Sequence, residues 1–278
     1  DFGVYKPFVN RYCSGQREAS NLKELNFNLW QYCMFRREKS LVLTDLPDKI
    51  RQVNTCEITN RKEYMDAERD LIMYLQKYKD ADDDKIEKAL RGEVMVRINI
   101  LRQISARGKV RDVIEFVKDF RENGKKIILF CSLHEVVDQL RRYFPTAVSV
   151  TGRESPDMKQ RAVDAFQNNP KVDIIICSIK AAGVGLTLTA SSNVAFVEFP
   201  WTYADCCQCE DRAHRIGQKD SVTCYYFLGR RTIDEKVYRI IQEKKNIANA
   251  VTGSTEDIEE NIVDMVARIF DTEYDDEE

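Results

Sequence analysis

Short apolar runs alternate with amphipathic segments from Lys109 onward. Within these runs apolar and polar residues do not alternate, which is typical of strands buried on both faces of a parallel sheet. The segments between them repeat apolar residues at helical spacing. This alternation predicts an α/β fold with a doubly wound parallel sheet. The predicted strands are Lys126–Cys131, Ala147–Thr151, Val172–Ser178, Asn193–Phe199 and Val222–Leu228.

The part of the chain from residue 21 to 103 follows a largely helical pattern. Helices are predicted within 21–40, over 61–78 and over 85–104, and "LPDKIRQVNTCEIT" is interpreted as an extended connector that starts at a proline. A closing helix is predicted from Thr232, which serves as the N-cap of a capping box with Glu235. One more amphipathic helix is predicted over 256–270.

The composition is that of a soluble globular protein, with 43% hydrophobic and 32% charged residues. No apolar run approaches the roughly 20 residues of a membrane span, so no membrane partner is expected. Nine cysteines favour a reducing compartment. The expected location is intracellular: cytoplasmic or nucleoid-associated in a bacterium, nuclear in a eukaryote. Because the chain starts at Asp1 without a methionine, we expect a fragment of something longer.

The net charge of −3 is unevenly distributed. Residues 255–278 carry eleven acids and one base, and the remainder holds 42 bases against 35 acids. A mildly basic body is compatible with a nucleic-acid partner, and equally with an ordinary solvated surface.

Cys206, Cys207 and Cys209 lie close to His214 in sequence and raise the question of zinc. A structural zinc site needs a second pair of ligands, and no other Cys/His doublet is nearby. Buried thiols are therefore the favoured interpretation, and no metal site is predicted.

Ligands of such sheets bind at the carboxyl ends of the strands, which directs attention to the loops after Cys131, Ser178 and Phe199. In "SIKAAGVGLTLT", Gly183 and Gly185 would let backbone N–H groups approach a phosphate. A glycine-bearing turn without a ligand is an equally good interpretation of these residues.

A complete phosphate-gripping loop reads G-x-x-x-x-G-K-[ST]. The Gly-Lys pairs at 108–109 and 124–125 are not followed by a hydroxyl residue, and Glu198 only mimics a magnesium-holding acid at a strand end. The chain therefore cannot bind and hydrolyse a nucleotide by that route on its own.

"QCEDRAHRIGQ", residues 208–218, places Arg212 and Arg215 three positions apart within a predicted helix over 203–215. That spacing directs both side chains the same way. They could stabilise the γ-phosphate of a nucleotide held elsewhere. They could instead form surface pairs with Glu210 and Asp211, and spacing alone favours this second interpretation.

The same letters resemble the last motif, Q-x-x-D-R-x-H-R-I-G-Q, of the SWI/SNF-type helicase-like ATPases of superfamily two. "ILFCSLHEVVDQL", "VTGRESPDMKQRAVDAFQ", "ICSIKAAGVGLTLTASSNVAFVEFPW" and "TIDEKVYRIIQEK" are similar to earlier blocks of that family's second RecA-like lobe and to its brace helix, in order from Lys109 to Lys245. The "GLTLTASS" variant is most similar to the annealing-helicase, fork-remodelling branch.

The resemblance implies a motor with two RecA-like lobes, ATP and Mg²⁺ between them and double-stranded DNA across both. This chain would be the C-terminal lobe, inactive and without tightly bound nucleotide until it joins the missing N-terminal lobe. The alternative is a non-catalytic DNA- or protein-binding adaptor. The implied division is 1–60 (end of the first lobe, protrusion and connector), 61–104 (helical protrusion), 105–252 (second RecA-like lobe with brace) and 253–278 (acidic tail).

The resemblance also assigns roles to individual positions. Arg215, the first choice as arginine finger, and Arg212 would reach the nucleotide phosphates. Trp201 would pack or touch DNA. The remaining assignments are Gln208 and Asp211 to tuning of the nucleotide site, Gly183, Gly185 and Leu186 to the coupling of ATP to DNA, and Ser132, Thr151, Arg153, Ser178 and Lys180 to the DNA backbone.

Overall fold

The computed structural model describes residues 5–13, 20–32, 42–79, 84–182, 185–250 and 266. Its centre is a six-stranded sheet in the order β1-β6-β5-β2-β4-β3, with every pair parallel. The predicted doubly wound parallel sheet is confirmed, and all five predicted strands are present. The strands are β1 (Lys49–Cys56), β2 (Ile127–Cys131), β3 (Val148–Val150), β4 (Ile174–Ser178), β5 (Asn193–Phe196) and β6 (Val222–Gly229).

The sixth strand, β1, occupies the segment that the sequence had suggested was a connector. It pairs with β6 along its whole length, from Lys49 opposite Val222 to Cys56 opposite Gly229. Only one neighbour covers it, so Ile50 and Val53 stay exposed and its sequence lacks the continuous apolar run of the central strands. The predicted extended conformation is therefore confirmed, whereas the interpretation as a connector was wrong.

Nine helices are described, and they surround the sheet. The helix predicted over 61–78 is confirmed, whereas the one predicted over 85–104 continues without a break to Glu122. The predicted domain boundary at 104/105 thus lies inside one helix, and the division into domains remains a prediction. The helices are α1 (Tyr5–Tyr12), α2 (Leu22–Tyr32), α3 (Arg61–Lys79), α4 (Asp84–Glu122), α5 (His134–Tyr143), α6 (Pro156–Asn168), α7 (Ile179–Ala182), α8 (Tyr203–Glu210) and α9 (Ile233–Ala250).

Two sequence predictions fall mostly beyond these residues. The helix predicted within 21–40 is described as α2 and then leaves the described ranges at residue 33. Of the helix predicted over 256–270, only Val266 is described, and it is helical and buried.

The core has two layers, one on each face of the sheet. Along β2, Ile128 and Phe130 belong to one cluster, and Ile127, Leu129 and Cys131 belong to the other. Helices α3 and α9 cover the first face, α5 covers the second, and α4 contributes to both. A strand buried on both sides has no polar face, which explains why the central strands read as unbroken apolar runs.

A buried ion pair fastens the long helix α4 to β6 and α9. The ammonium group of Lys109 donates to the Asp234 carboxylate at 2.5 Å and to the Phe227 carbonyl at 2.8 Å. The Ser105 hydroxyl donates to the same carboxylate at 2.7 Å. A buried charge is tolerated when it is paired and hydrogen-bonded in this way.

The start of α9 differs in detail from the predicted capping box. The Thr232 hydroxyl accepts from the N–H of Asp234 at 3.2 Å, which is N-cap behaviour at the predicted residue. Glu235 accepts from the N–H of Arg231 at 3.1 Å, one residue before the partner that a capping box would use.

Candidate functional site

Helix α8 positions the motif with the two arginines, and it is shorter than the predicted helix. It begins at the N-cap Thr202, whose hydroxyl accepts from the N–H of Asp205 at 2.9 Å. It ends at Glu210, and residues 211–217 form successive turns closed by Gly217, whose φ of +99° suits glycine. The prediction that Arg212 and Arg215 share a helix face was therefore wrong.

The turns nevertheless bring both arginines to one cleft. Arg212 and Arg215 line a cavity of about 350 Å³ together with Gln208 and Asp211. The structure thus collects the four residues that the family resemblance had placed near a nucleotide. Two apolar residues that the sequence had not suggested, Leu43 and Ile216, complete the lining.

The guanidinium groups of these arginines carry few internal bonds. The Nη1 atom of Arg215 donates to the Thr187 hydroxyl at 3.3 Å and to the Leu186 carbonyl at 3.5 Å. The Nε atom of Arg212 is buried and has no hydrogen-bond partner. Among the described residues, neither arginine forms an ion pair with a carboxylate, so the predicted alternative of surface pairing with Glu210 and Asp211 is not what the fold adopts.

Glu210 is instead held by two cations of β1. Its carboxylate accepts from Arg51 at 2.7 and 2.8 Å, from Lys49 at 2.8 Å and from the Tyr226 hydroxyl. Its side chain is fully buried. Burial alone would raise the pKa of Glu210, but the hydrogen bonds from Arg51 and the charge of Lys49 outweigh it and lower this pKa to about 2. The group is therefore ionised at neutral pH.

Sequence reasoning missed this cluster. Lys49 also reaches the Asp211 carboxylate at 3.3 Å, 162 positions away along the chain. The available signal was the pair of cations in "DKIRQ" at alternate strand positions, which places both side chains on one face once the segment is known to be a strand.

The side chains of Gln218 and His214 hold the turns of the motif in place. The buried amide of Gln218 donates to the carbonyls of Ser191 at 3.0 Å and Ala213 at 3.3 Å. A ring nitrogen of His214 lies 2.7 Å from the carbonyl of Pro47, just before β1. The bonds to Ser191 and Pro47 tie the arginine-bearing segment to the loops that precede β5 and β1.

The glycine-bearing loop is described only in part. Gly183 lies outside the described residues. Gly185 has a φ of +57°, the left-handed region that glycine adopts freely, and the space around it is open. Leu186 follows directly, and its carbonyl accepts the weak bond from Arg215.

The predicted DNA-contacting residues gather at the carboxyl ends of the adjacent strands β2, β4 and β3. Ser132 and Lys180 are exposed there, and the Ser178 hydroxyl accepts from the N–H of Ala181 at 3.1 Å. Arg153 is half-exposed and pairs with Asp138 at 2.8 and 3.0 Å.

Thr151 is the exception within this group. Its hydroxyl group is buried and donates to Glu154 at 2.7 Å, and its N–H donates to the same carboxylate at 2.6 Å. Burial raises the pKa of Glu154, but the hydrogen bonds from the Ser149 hydroxyl and from Thr151 outweigh it, so this pKa is lowered. A direct phosphate contact by Thr151 would have to replace its hydroxyl bond.

Side chains of the loop after β5 are engaged in contacts within the protein. The guanidinium of Arg102, on α4, lies 3.8 Å from the ring centroid of Trp201 and also donates to the Phe199 carbonyl. Of the two roles predicted for Trp201, this contact favours packing. Glu198 accepts from the N–H groups of Ser132 and Leu133, both at 2.8 Å, and so fixes the turn between β2 and α5.

The cysteines near the motif behave as core residues. Cys206 and Cys209 are buried, and desolvation raises the pKa of each thiol well above its ordinary value. Across the described ranges, no group of three or more His, Cys, Asp or Glu side chains is placed to hold a metal ion. Nor does any helix there have the length and apolar character needed to span a bilayer.

Six parallel strands with helices on both faces, and an arginine-bearing turn beside the amino ends of β1, β5 and β6, define a RecA-like lobe. Residues 108–217 match the family described as helicase conserved C-terminal domain. Two solved structures share the fold: the C-terminal part of the Fun30 ATPase domain (TM-score 0.65, 17% identity, 83% of this chain and 99% of that one) and the Sulfolobus solfataricus SWI2/SNF2 ATPase core in complex with dsDNA (TM-score 0.60, 22% identity, 88% and 55%).

Two curated relatives are similar to this chain over most of its length. The bovine "DNA annealing helicase and endonuclease ZRANB3" is 30% identical over 276 residues, which is 91% of this chain and 24% of that protein. The Xenopus tropicalis "SWI/SNF-related matrix-associated actin-dependent regulator of chromatin subfamily A-like protein 1" is 30% identical over 259 residues, 88% of this chain and 26% of that protein. The chain carries a helicase conserved C-terminal domain and has the C-terminal lobe of the SWI/SNF type of superfamily two. It spans about a quarter of the length of these relatives.

Proposed function

We propose that this chain is the second lobe of an ATP-dependent translocase on double-stranded DNA. A first lobe holds the nucleotide, and this lobe supplies Arg215 and Arg212 to its phosphates, with Gln208 and Asp211 shaping the same site. The chain alone does not hydrolyse ATP. The observation that carries the proposal is the pair of guanidinium groups in one open cleft, neither of them ion-paired among the described residues.

A triphosphate suits this cleft chemically. Guanidinium stays charged at any physiological pH and bonds two phosphate oxygens at once. The bonds that Arg215 makes to Thr187 and Leu186, at 3.3 and 3.5 Å, are long and easily exchanged for charge-assisted ones. The Nε of Arg212 is buried without a hydrogen-bond partner, and a bound phosphate that reached it would satisfy this donor.

The Mg²⁺ that accompanies ATP fits this lobe less well. Its preferred ligands are carboxylate oxygens and water. Glu210 is neutralised by Lys49 and Arg51, and Glu198 already accepts from the N–H groups of Ser132 and Leu133. We therefore assign the metal ligands to the first lobe and route no step through the ion here.

The DNA contacts proposed for this lobe are to backbone phosphates. Ser132, Ser178, Lys180 and Arg153 lie at neighbouring strand ends, and the Arg153–Asp138 pair is a surface pair that costs little to exchange. The Sulfolobus solfataricus SWI2/SNF2 ATPase core, which shares this fold, forms a complex with dsDNA. Phosphate contacts predict binding that is salt-sensitive and nearly independent of sequence.

The test is the DNA-stimulated ATPase activity of the complete motor carrying Arg215→Ala. Removing an arginine finger lowers turnover about 10³-fold or more. DNA affinity should change by less than about twofold, because Arg215 lies in the nucleotide cleft and away from the strand ends assigned to DNA. Arg111→Ala, an exposed arginine of α4, is the matched control and should keep turnover.

Turnover by Arg215→Ala at the rate of the control would remove this residue from catalysis. The same assay on this chain alone should show no hydrolysis, and adding the first lobe should restore it. Robust hydrolysis by the isolated chain would contradict the two-lobe mechanism. Binding of DNA or protein with no ATPase activity in the complete protein would favour the adaptor alternative.

A further inference from the structure

The two acids that precede Arg212 could compete with a phosphate for the arginines of the proposed site. Glu210 and Asp211 sit directly beside the arginine in sequence, at the end of α8. A carboxylate close to a guanidinium is the natural competitor of a phosphate, because both bind the same planar group. An anion-binding cleft at this point therefore needs a reason why its own acids do not fill it.

The edge strand β1 provides that reason. Lys49 bridges both acids, with its ammonium nitrogen 2.8 Å from Glu210 and 3.3 Å from Asp211. Arg51 grips Glu210 with two nitrogens. The Arg51 guanidinium also lies 5.6 Å from the ring centroid of Tyr203, which is in the first turn of α8. Both ends of α8 are thus tied to the same face of β1.

From this geometry we propose that Lys49 and Arg51 are positioning residues for the arginine pair. They hold Glu210 against β1 and engage the Asp211 carboxylate at the edge of the cleft, and they thereby leave Arg212 and Arg215 available to an incoming polyphosphate. Neither cation touches the nucleotide. The inference rests on the proposed function, because it explains how that same cleft stays receptive to anions.

The two cations have different roles, as the burial of Glu210 and Asp211 shows. Glu210 is fully buried, so Arg51, whose side chain is 27% exposed, chiefly stabilises a carboxylate that could not otherwise remain ionised. Asp211 is 40% exposed at the cleft, and Lys49 at 3.3 Å is closer to its carboxylate than the His214 ring nitrogen at 3.9 Å. Lys49 is therefore the residue whose loss would let an acid move toward the arginines.

A double-mutant cycle on the complete motor separates this role from a merely structural one. Lys49→Met should raise the KM for ATP about fivefold and change kcat less, since the liberated Asp211 competes in the ground state. In an Asp211→Asn background, the same Lys49→Met change should raise KM by less than about twofold, because no charge is left to compete. Lys49→Arg should restore the KM of the parent.

An equal rise in KM in both backgrounds would overturn the proposal, because Lys49 would then act through the fold or directly on the phosphates. Lys49→Gln, which keeps a hydrogen-bond donor, serves in the same cycle if the Met variant does not fold. Arg215→Ala keeps the two proposals distinguishable. An active Arg215→Ala motor refutes the proposed function, whereas an inactive one with no Lys49–Asp211 coupling refutes the positioning role alone.

Discussion

The buried pair of Lys109 and Asp234 makes a direct test of how α4 is fastened to the sheet. Lys109→Met removes the cation and leaves a carboxylate whose side chain is only 7% exposed. Breaking a buried pair by removing one partner costs about 3–5 kcal/mol. Asp234 retains bonds from the Ser105 hydroxyl at 2.7 Å and the Gly229 N–H at 3.0 Å, so we expect the lower end, about 3 kcal/mol.

The assay is urea unfolding of the purified chain, followed by far-ultraviolet circular dichroism. With a slope of about 3 kcal/mol per M for a chain of this size, the midpoint should fall by about 1 M. Lys118→Met is the matched control, since Lys118 lies on the same helix and pairs with Glu115 at the surface. The midpoint of this control should not move measurably.

The double variant Lys109→Met/Asp234→Asn should recover part of the loss, because it leaves no buried charge without a partner. If Lys109→Met shifted the midpoint no further than Lys118→Met, the buried pair would contribute nothing to the attachment of α4. If the double variant were no more stable than Lys109→Met, the loss would not come from the uncompensated carboxylate.

Two further predictions concern the stability of the same chain. In α4, a Cβ at Gly108 would lie 2.2 Å from the Asn60 side-chain oxygen and 2.7 Å from Ile58 Cβ, so Gly108→Ala should destabilise the chain by about 2 kcal/mol. Gly92 has open space on the same helix, and Gly92→Ala should stabilise the chain by up to about 1 kcal/mol. Equal urea midpoints for the two variants would refute the steric argument. Because the pKa of Glu210 is lowered to about 2, its contribution to stability should be full above its pKa in the unfolded chain, about 4.3, and should disappear as the pH falls toward 2. Glu210→Gln should therefore flatten the acid side of the curve of stability against pH. An unchanged acid side would show that Glu210 does not cause it.

The central strands were predictable because burial on both faces leaves a plain signal. "KIILFC" and "VDIIICS" contain no polar alternation, and the corresponding strands β2 and β4 lie in the middle of the sheet. β1 lies at the edge, and its exposed Ile50 and Val53 make it look like a linker. Its partner β6 follows 173 positions later, a pairing that no local pattern encodes.

Most of the residues that line the candidate site could be predicted from the sequence, but their arrangement could not. The family resemblance selected Arg212, Arg215, Gln208 and Asp211, which do line one cleft. The helical spacing that first suggested a shared face was the wrong reason, because α8 stops at Glu210. The chain turns there, and tertiary bonds rather than local propensity hold the turns in place.

The surroundings of the acids could not be derived from sequence order. Glu210 looked like a surface partner of the neighbouring arginines, yet it is buried against cations from a strand more than 150 positions earlier. Glu198 only mimics a metal-holding acid in the sequence, and its actual partners, the N–H groups of Ser132 and Leu133, lie more than 60 positions earlier. In both cases the environment that decides the chemistry is created only when the sheet assembles.

The most direct measurement of the central claim is a structure of the complete motor bound to DNA and a non-hydrolysable ATP analogue. We expect the guanidinium of Arg215 within hydrogen-bonding distance, about 2.7–2.9 Å, of the terminal phosphate oxygens, with Arg212 close by. An analogue fully bound by the first lobe while both guanidinium groups point into solvent would contradict the account.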